Sequence, residues 1–540
     1  MTQIELTSPS RSTWKKVPDT VYLFVGFYLF FLLNLTANFS GPHDSMGYLN
    51  DFERSRDLLP APHLLYHITT YYIFHFLRWL LPHAHSYYLV ESIDAAWGCL
   101  GLTVVYRIFL NRMGMSRLQA FGGTAVAAFS FGMWFYCSNI EVYMPSTFFL
   151  MLGLYVCTKQ RWESSDILKI TLVHCLAVLF HQANVLFAPI VLWKIWYSRK
   201  DIPMVRALLR YAIGSVVVVG GIYVIVGWVI DGNNTPATFY SWIRGYTLQS
   251  GYWFPLAFST FFHVAVGLGH AFFGAHYIFR ISFLEAIMKR VFYYHSLDDE
   301  AYLVRNLSHG MAAFLLVLTV LVVLLMVVLL VRIIRHWRTL MAQHKHLMVP
   351  LLLFLAAYSC FFYFWMPENL EFWIPQSVVI WIFLLGINSL LPSGGFISSN
   401  KYFYLGLALV MFFVNYQGSI RWMKDIRNDV VYIKTEKLKD VATAKDVVVL
   451  QDPWLLSYFL EQFTPATIVE VPVKPADISA LNQKVDSCLS SGGRVYLYTE
   501  GSSVHTSANH HYIDSLISMH NGAVSDLNNP LTPVKVIAGR

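Results

Sequence analysis

Of 540 residues, 56% are hydrophobic and only 13% charged, and the mean hydropathy is +0.48, a balance that excludes an ordinary soluble domain and requires a polytopic membrane protein. The net charge of +7 would suggest nucleic acid in a soluble chain, but here the Lys and Arg fall in short loops between apolar runs, so topology explains them and no nucleic-acid partner is implied. The 6 cysteines stand singly and form neither a disulfide framework nor a CxxC metal site.

The N-terminal stretch is polar, and the apolar run 21–39 is followed by no small-residue cleavage site, so it reads as a retained first span. Runs near 20–39, 88–110, 118–136, 145–158, 167–180, 183–197, 211–230, 311–331, 348–365, 372–391 and 401–417 approach the ~17–25 residues that cross a bilayer. With the ambiguous runs 63–81 and 255–275 this predicts a mainly α, polytopic transmembrane helical bundle of about 11–13 spans.

Basic residues cluster before the first span (Arg11, Lys15, Lys16), after 88–110 (Arg107, Arg112, Arg117) and after 145–158 (Lys159, Arg161). They cluster again after 183–197 (Arg199, Lys200, Arg206, Arg210) and after 311–331 (Arg332, Arg335, Arg338, Lys345). The positive-inside rule places all of them, and the N-terminus, in the cytoplasm. Parity then makes 40–87 an external loop whose run 63–81 lies at or dips into the outer surface. It also makes 232–310 an external region with a re-entrant or interfacial helix at 255–275, or else a region with an extra pair of crossings.

The chain divides into a transmembrane part, 1–418, and a tail, 419–540, that reads as a small soluble α/β domain on the outer side. DVVVLQ (446–451), TIVEVPV (467–473) and RVYLYTE (494–500) have strand character and alternate with helical runs at 453–463, 476–489 and 509–518, which predicts a parallel sheet. No GxGxxG or P-loop marks a nucleotide site there.

The polar segment 41–67, GPHDSMGYLNDFERSRDLLPAPHLLYH, carries 4 carboxylates, 2 arginines and 3 histidines directly after the first span. Charge this dense beside a bilayer is expensive unless it folds over a site. His43, Asp44 and Ser45 are its centre. Three further polar clusters emerge on the same expected side: 138–143 with Glu141 and Tyr143, His181 with Gln182, and 367–373 with Glu368 and Glu371. Scattered structural polars would occupy both faces, so the one-sidedness favours a site. A carboxylate in an outer loop suits deprotonation of an acceptor hydroxyl or amine, while Arg54, Arg56, Arg244 and Arg280 are the candidates to meet a leaving phosphate.

Each candidate has a plainer alternative. Asp44 fits the cap of the next helix, and Glu141 fits a structural ion pair. His63 and His67 sit four apart on one helix face, a metal-compatible spacing without the Glu of HExxH, so a surface or phosphate-positioning pair is preferred. His181 and Glu371 also fit satisfied buried polars. A divalent metal is compatible with these residues and required by none of them.

In order, HDS (43–45), PAPHLLYH (60–67), SNIEVYMPS (138–146), FHQANVLFAP (180–189) and PENLEFWIP (367–375) resemble the GT-C superfamily of integral-membrane glycosyltransferases. Within it the pattern is most similar to the protein O-mannosyltransferase-like group with GDSGE and HPPGYPL motifs, and more distantly to lipid A aminoarabinose transferases. His43 stands where the group has Gly, and Met46-Gly47 replaces its GE. The resemblance implies transfer of a sugar from a polyprenyl-phosphate donor, in the membrane, to a protein, lipid or glycan acceptor. Asp44 would be the base, with Glu141 and His181 supporting; His43, Ser45, Arg54, Arg56, His63, His67, Tyr143, Arg244, Glu368 and Glu371 would contact substrate.

The expected chemistry is inverting, on the extracytoplasmic side, which is periplasmic in a bacterium. A transporter or flippase, a scaffold built on the outer domain, and a polymerase or ligase of lipid-linked glycans are the competing readings. Transporters carry charged or Gly/Pro-broken mid-span segments in corresponding halves, whereas these carboxylates gather at span ends.

Overall fold

In the computed structural model, residues 18–248, 250–292, 297–391, 400, 402–451, 454–472, 478–498, 512–520 and 524–538 are described. The first basic cluster, Arg11 with Lys15 and Lys16, lies outside the described residues, as do residues 473, 499 and 500 of the expected strands.

Among the described residues 6 helices are long and apolar enough to cross a membrane: Ser86–Arg112, Met204–Ile230, His309–Arg335, Lys345–Phe364, Leu370–Ser389 and Phe403–Met423. Helices Asp19–Leu32, Tyr143–Cys157 and Phe258–Phe273 are apolar but shorter. Met204–Ile230 and His309–Arg335 keep most of their Val, Leu and Ile side chains exposed, as lipid-facing helices do, whereas Leu370–Ser389 is mostly buried among its neighbours.

The expected single crossing at 118–136 is instead two pieces, Arg117–Ala128 and Phe131–Cys137, bent by 77°. The break falls at Ser130, whose hydroxyl donates back to the Val126 carbonyl (3.2 Å) and accepts the Trp381 indole N–H (2.8 Å), so a side chain replaces the helical ladder there. The run 183–197 is likewise no continuous span, but a 3-10 segment Gln182–Phe187 followed by the 10-residue helix Ala188–Tyr197.

The helix Leu64–Leu80 is two-faced. Tyr66, His67, Thr70 and Phe74 are buried, while Tyr72, Phe76, Trp79 and Leu80 are exposed. Region 232–310 holds helices Pro236–Arg244, Phe258–Phe273, Ser282–Val291 and Asp298–Leu303.

Beyond Met423 the chain forms a five-stranded sheet. Its strands are β1 (Val447–Leu450), β2 (Thr467–Glu470), β3 (Arg494–Tyr498), β4 (Val524–Leu527) and β5 (Val534–Ala538), in the order β2-β1-β3-β5-β4. β1 pairs in parallel with β2 and β3, in the register Val447 with Thr467 and Val495. The sheet is mixed rather than parallel, because β5 runs antiparallel to β3 and β4. The last two strands are a short hairpin, which needs no helical crossover and so lacks the alternation that signals a parallel strand.

Alternate residues serve two cores. Val447, Val449, Val495 and Leu497 pack on Leu481 and Val485, whereas Val448, Leu450, Tyr496 and Tyr498 pack on Leu438 and Leu460. Helix Trp454–Phe463, held in this second core by Leu460, also lies on helix Ser45–Arg54, which brings the tail against the first polar loop: Asn50 Nδ2 donates to the Tyr458 carbonyl (3.0 Å).

Candidate active site

The segment after Asp19–Leu32 is fixed from three sides before it reaches Asp44. Thr36 Oγ1 donates to the Ser138 carbonyl (2.8 Å), Asn139 Nδ2 donates to the Asn38 carbonyl (2.7 Å), and the Ser40 amide donates to Asp429 Oδ2 (2.9 Å). His43 then takes φ 69°, a left-handed conformation that a glycine adopts freely. This turn swings Asp44 outward and starts helix Ser45–Arg54.

Asp44 occupies the N-cap position but makes no side-chain capping bond. Its Oδ2 instead accepts the Tyr48 hydroxyl (3.2 Å), and the carboxyl lines a cavity of about 420 Å³. His43, Tyr48, His63, His67, Tyr143 and Glu371 share that lining, and Tyr458 of the sheet-bearing unit closes one side. Gly47 lets the ring come close: a Cβ there would sit 3.2 Å from the Tyr458 ring, so the ring would have to give by a few tenths of an ångström.

Glu141 is buried behind the cavity, where its Oε2 accepts the Val142 amide (2.7 Å) and its own amide donates to Asp94 Oδ2 (3.2 Å). Glu371 Oε2 accepts the Tyr136 hydroxyl (3.3 Å), and Asn369 Nδ2 donates to Glu371 Oε1 (3.1 Å). Asp44, Glu141 and Glu371, from three distant parts of the chain, are therefore near enough to act on one another's charge. Burial raises the pKa of Asp44, opposed by the Tyr48 hydroxyl. Burial, then the charges of Asp44 and Glu371, push Glu141 well above the carboxylate range.

The histidines converge too. The ring of His63 lies 4.8 Å from that of His181 and 6.4 Å from that of His67, and His67 meets Tyr48 edge-on at 4.7 Å. His181 Nδ1 accepts the Ala183 amide (3.2 Å). Burial lowers His67 and His181 to about 4 and takes His63 well below its ordinary value, so all three are neutral near pH 7. Among the described residues no group of three or more His, Cys, Asp and Glu side chains is arranged to hold a metal ion.

The arginines are placed elsewhere. Arg54 donates to Glu461 Oε2 (2.6 Å) and to the Glu461 carbonyl (2.7 Å), with Arg56 3.7 Å from the same carboxylate, so both bind the tail rather than face the cavity. Arg244 donates to Thr247 Oγ1 (3.0 Å) and the Tyr240 hydroxyl (2.8 Å), while its neighbour Gly245 lines the cavity. Arg280 donates to the Leu307 carbonyl (2.9 Å). Among the described residues no Lys or Arg lines the cavity.

Ser45 and Glu368 also stand off it. The Ser45 hydroxyl donates to the Ile140 carbonyl (2.8 Å) and is fully buried, which locks the Asp44 turn to the Glu141 loop. Glu368 Oε2 lies 3.6 Å from His263 Nδ1.

No family model matches this sequence, and no curated protein does. Solved structures do match: ArnT from Cupriavidus metallidurans bound to undecaprenyl phosphate superposes with a TM-score of 0.56 at 10% identity, over 96% of this chain and 98% of that one. The same protein in the apo state gives a TM-score of 0.55 at 10% identity over the same shares. The fold is ArnT-like.

On this ArnT-like frame the site holds residues that motif reading passes over. Asp51 and Asp57 also line the cavity; burial and then the Asp57 charge bring Asp51 to about 7, and burial and then Asp231 raise Asp57. Beneath the site, helix Ser86–Arg107 buries Glu91 and Asp94 completely. Asp94 Oδ2 accepts the Tyr66 hydroxyl (2.9 Å) as well as the Glu141 amide, and neither oxygen of Glu91 has a hydrogen-bond partner. The signal for both was legible: two carboxylates inside an apolar run are costly without a role.

Proposed function

We propose that this chain is a membrane glycosyltransferase of the GT-C type, which moves a sugar from a polyprenyl-phosphate donor to an acceptor on the extracytoplasmic side. The observation that carries this reading is the convergence of Asp44, Glu141 and Glu371 around one cavity, at the end of a helical bundle whose fold is ArnT-like. The solved ArnT bound to undecaprenyl phosphate supports a lipid-linked donor. Asp44 accepts the proton of the acceptor hydroxyl or amine, whose heteroatom attacks the anomeric carbon. The bond from that carbon to the phosphate oxygen breaks, the polyprenyl phosphate leaves with the electron pair, and a single displacement inverts the centre. Glu141 and His181 support Asp44 from behind, while His43, His63, His67, Tyr143 and Glu371 contact substrate.

The phosphate must be met from outside the present lining. Arg244 is next in chain to the lining residue Gly245, and it reaches inward by exchanging its Tyr240 and Thr247 bonds for phosphate oxygens. Glu91 and Asp94 do not favour a transporter: with helix Ser86–Arg107 starting at the same end as the site, they lie only about 8–12 Å along it, which is the site's floor rather than mid-membrane.

The test is purified protein in nanodiscs with a panel of radiolabelled polyprenyl-phosphate sugars, wild type beside Asp44→Asn. Release of polyprenyl phosphate, with label moved to acceptor or water, is expected only from the wild type. Release that survives the substitution undiminished rejects Asp44 as base, and lipid translocation without bond cleavage supports a flippase instead.

A further inference from the structure

A second polar cleft, of about 410 Å³, lies apart from the carboxylate cavity and is lined by Arg305, Arg421 and Arg427, the carboxylate Asp425, and Asn306, Trp422 and Asn428. Arg421 is in the last turn of the span Phe403–Met423, and Arg305 and Asn306 immediately precede the span His309–Arg335. The two helices run antiparallel: Phe314, early in one, contacts Phe413, late in the other, with ring centroids 6.0 Å apart. The cleft therefore sits where two spans leave the hydrocarbon, at the depth of lipid headgroups.

It opens at the same end of the bundle as the candidate active site. Lys424 Nζ donates to the Leu33 carbonyl (3.0 Å), the Ala37 amide donates to the Met423 carbonyl (2.7 Å), and the Asp429 that follows Asn428 holds the Ser40 amide.

The guanidiniums there are pre-oriented and under-used. Arg305 stacks on the Tyr302 ring at 3.7 Å and donates to the Tyr302 carbonyl (2.8 Å). Arg421 stacks on Trp422 at 5.1 Å and donates to Gln417 Oε1 (3.0 Å). Arg427 alone is paired, through Nε and Nη2, with Asp425 (3.0 and 2.8 Å). Among the described lining residues three guanidiniums thus face one carboxylate, Asp425, with Glu436 acting on Arg427 from outside the lining, and stacking has already removed much of the freedom that binding would have to remove.

We infer that this cleft is a binding site for the phosphate headgroup of an anionic membrane lipid, held by Arg305 and Arg421 with Trp422 seated at the acyl boundary. A lipid is favoured over a free anion because the guanidiniums stand at the ends of two membrane-capable helices, of which His309–Arg335 is lipid-facing, so that a headgroup arrives already concentrated and its chains have apolar surface to follow. The site is independent of the catalytic assignment, and no residue of the carboxylate cavity takes part in it.

The experiment uses the full chain in nanodiscs that contain a photoreactive phosphatidylglycerol. Crosslinks are mapped by peptide sequencing, with unlabelled phosphatidylglycerol, phosphatidylcholine and inorganic phosphate as competitors. Labelling concentrated in 302–306 and 417–428, displaced by phosphatidylglycerol and not by the other two, is expected. Arg305→Gln with Arg421→Gln should weaken it about thirtyfold, the worth of two guanidiniums beside a lipid phosphate. Labelling spread evenly over Met204–Ile230 and the other lipid-facing helices overturns the site, as does equal displacement by phosphatidylcholine. Displacement by inorganic phosphate at matched concentration overturns the lipid and leaves a free-anion site. If the double variant does not fold, the wild-type map and its competitors still decide.

Discussion

Asp44→Asn separates a catalytic carboxylate from a structural one. The substitution keeps size and shape, and an amide oxygen still accepts the Tyr48 hydroxyl that Asp44 holds at 3.2 Å, so little packing or hydrogen bonding is lost. What disappears is a proton acceptor at the cavity wall, and the turnover attributable to a general base falls by about 10²–10⁴, or roughly 3–5 kcal/mol of barrier. Stability should move the other way. Burial raises the folded pKa of Asp44 above its unfolded value, so the folded chain binds that proton more tightly and is destabilised as pH rises through the unfolded value, the penalty levelling off above the folded one. Asn carries no such penalty. Above that window the variant should melt at or above the wild-type temperature, and in more acidic solution the two should converge. For the same reason the acid limb of wild-type kcat/KM should lie above the ordinary aspartate range, since the base works only when deprotonated. Polyprenyl phosphate release and thermal unfolding in the same nanodiscs measure both quantities. Turnover within about tenfold of wild type, or a loss that tracks a fall in melting temperature, refutes the assignment.

Glu141→Gln should lower turnover but leave the acid limb where Asp44 sets it, because burial and the charges of Asp44 and Glu371 hold Glu141 well above the carboxylate range and Gln is neutral too; a pH–rate profile checks this. Ser45→Ala leaves the Ile140 carbonyl buried without its donor and should cost about 1–3 kcal/mol in thermal unfolding, with activity falling as the Asp44 turn and the Glu141 loop come apart. Arg54→Ala should loosen the tail by no more than about 1 kcal/mol, since the Arg54–Glu461 pair is part-exposed, and should leave the donor KM unchanged; a raised donor KM would put that guanidinium on the phosphate. Asp94→Leu strips the Glu141 amide and the Tyr66 hydroxyl of their acceptor and should abolish transfer in protein that still extracts as a monodisperse species.

The membrane class, the helical bundle and the polar loop were legible because composition and hydropathy are local properties of a chain. The convergence of Asp44 with Glu141 and Glu371 was legible only through parity, as clusters expected on one side. The partners of the arginines were not legible. Arg54 is answered by Glu461, 407 residues further on, and no local pattern in 41–67 announces that a helix of the tail will lie there. The broken span at Ser130 and the closing β4–β5 hairpin escaped for related reasons: a serine bonding back to its own helix is common within spans, and strands of four and five residues carry too short a period to read.

The arrangement of acids explains how so much negative charge survives beside a bilayer. Full ionisation of Asp44, Glu141 and Glu371 around one cavity would be prohibitive, and the surroundings grade them instead. Asp44 lies at the cavity wall with a single hydroxyl partner, whereas Glu141 is buried with one backbone amide at its Oε2 and its main chain tied to Asp94. Graded environments of this kind let one carboxyl give and take a proton while its neighbour stays neutral and in place. The neutral histidines fit the same logic, as does the lining, in which no Lys or Arg stands among the described residues to pair with Asp44. A guanidinium that enters only with the phosphate would supply positive charge to the leaving group without pairing with the base beforehand.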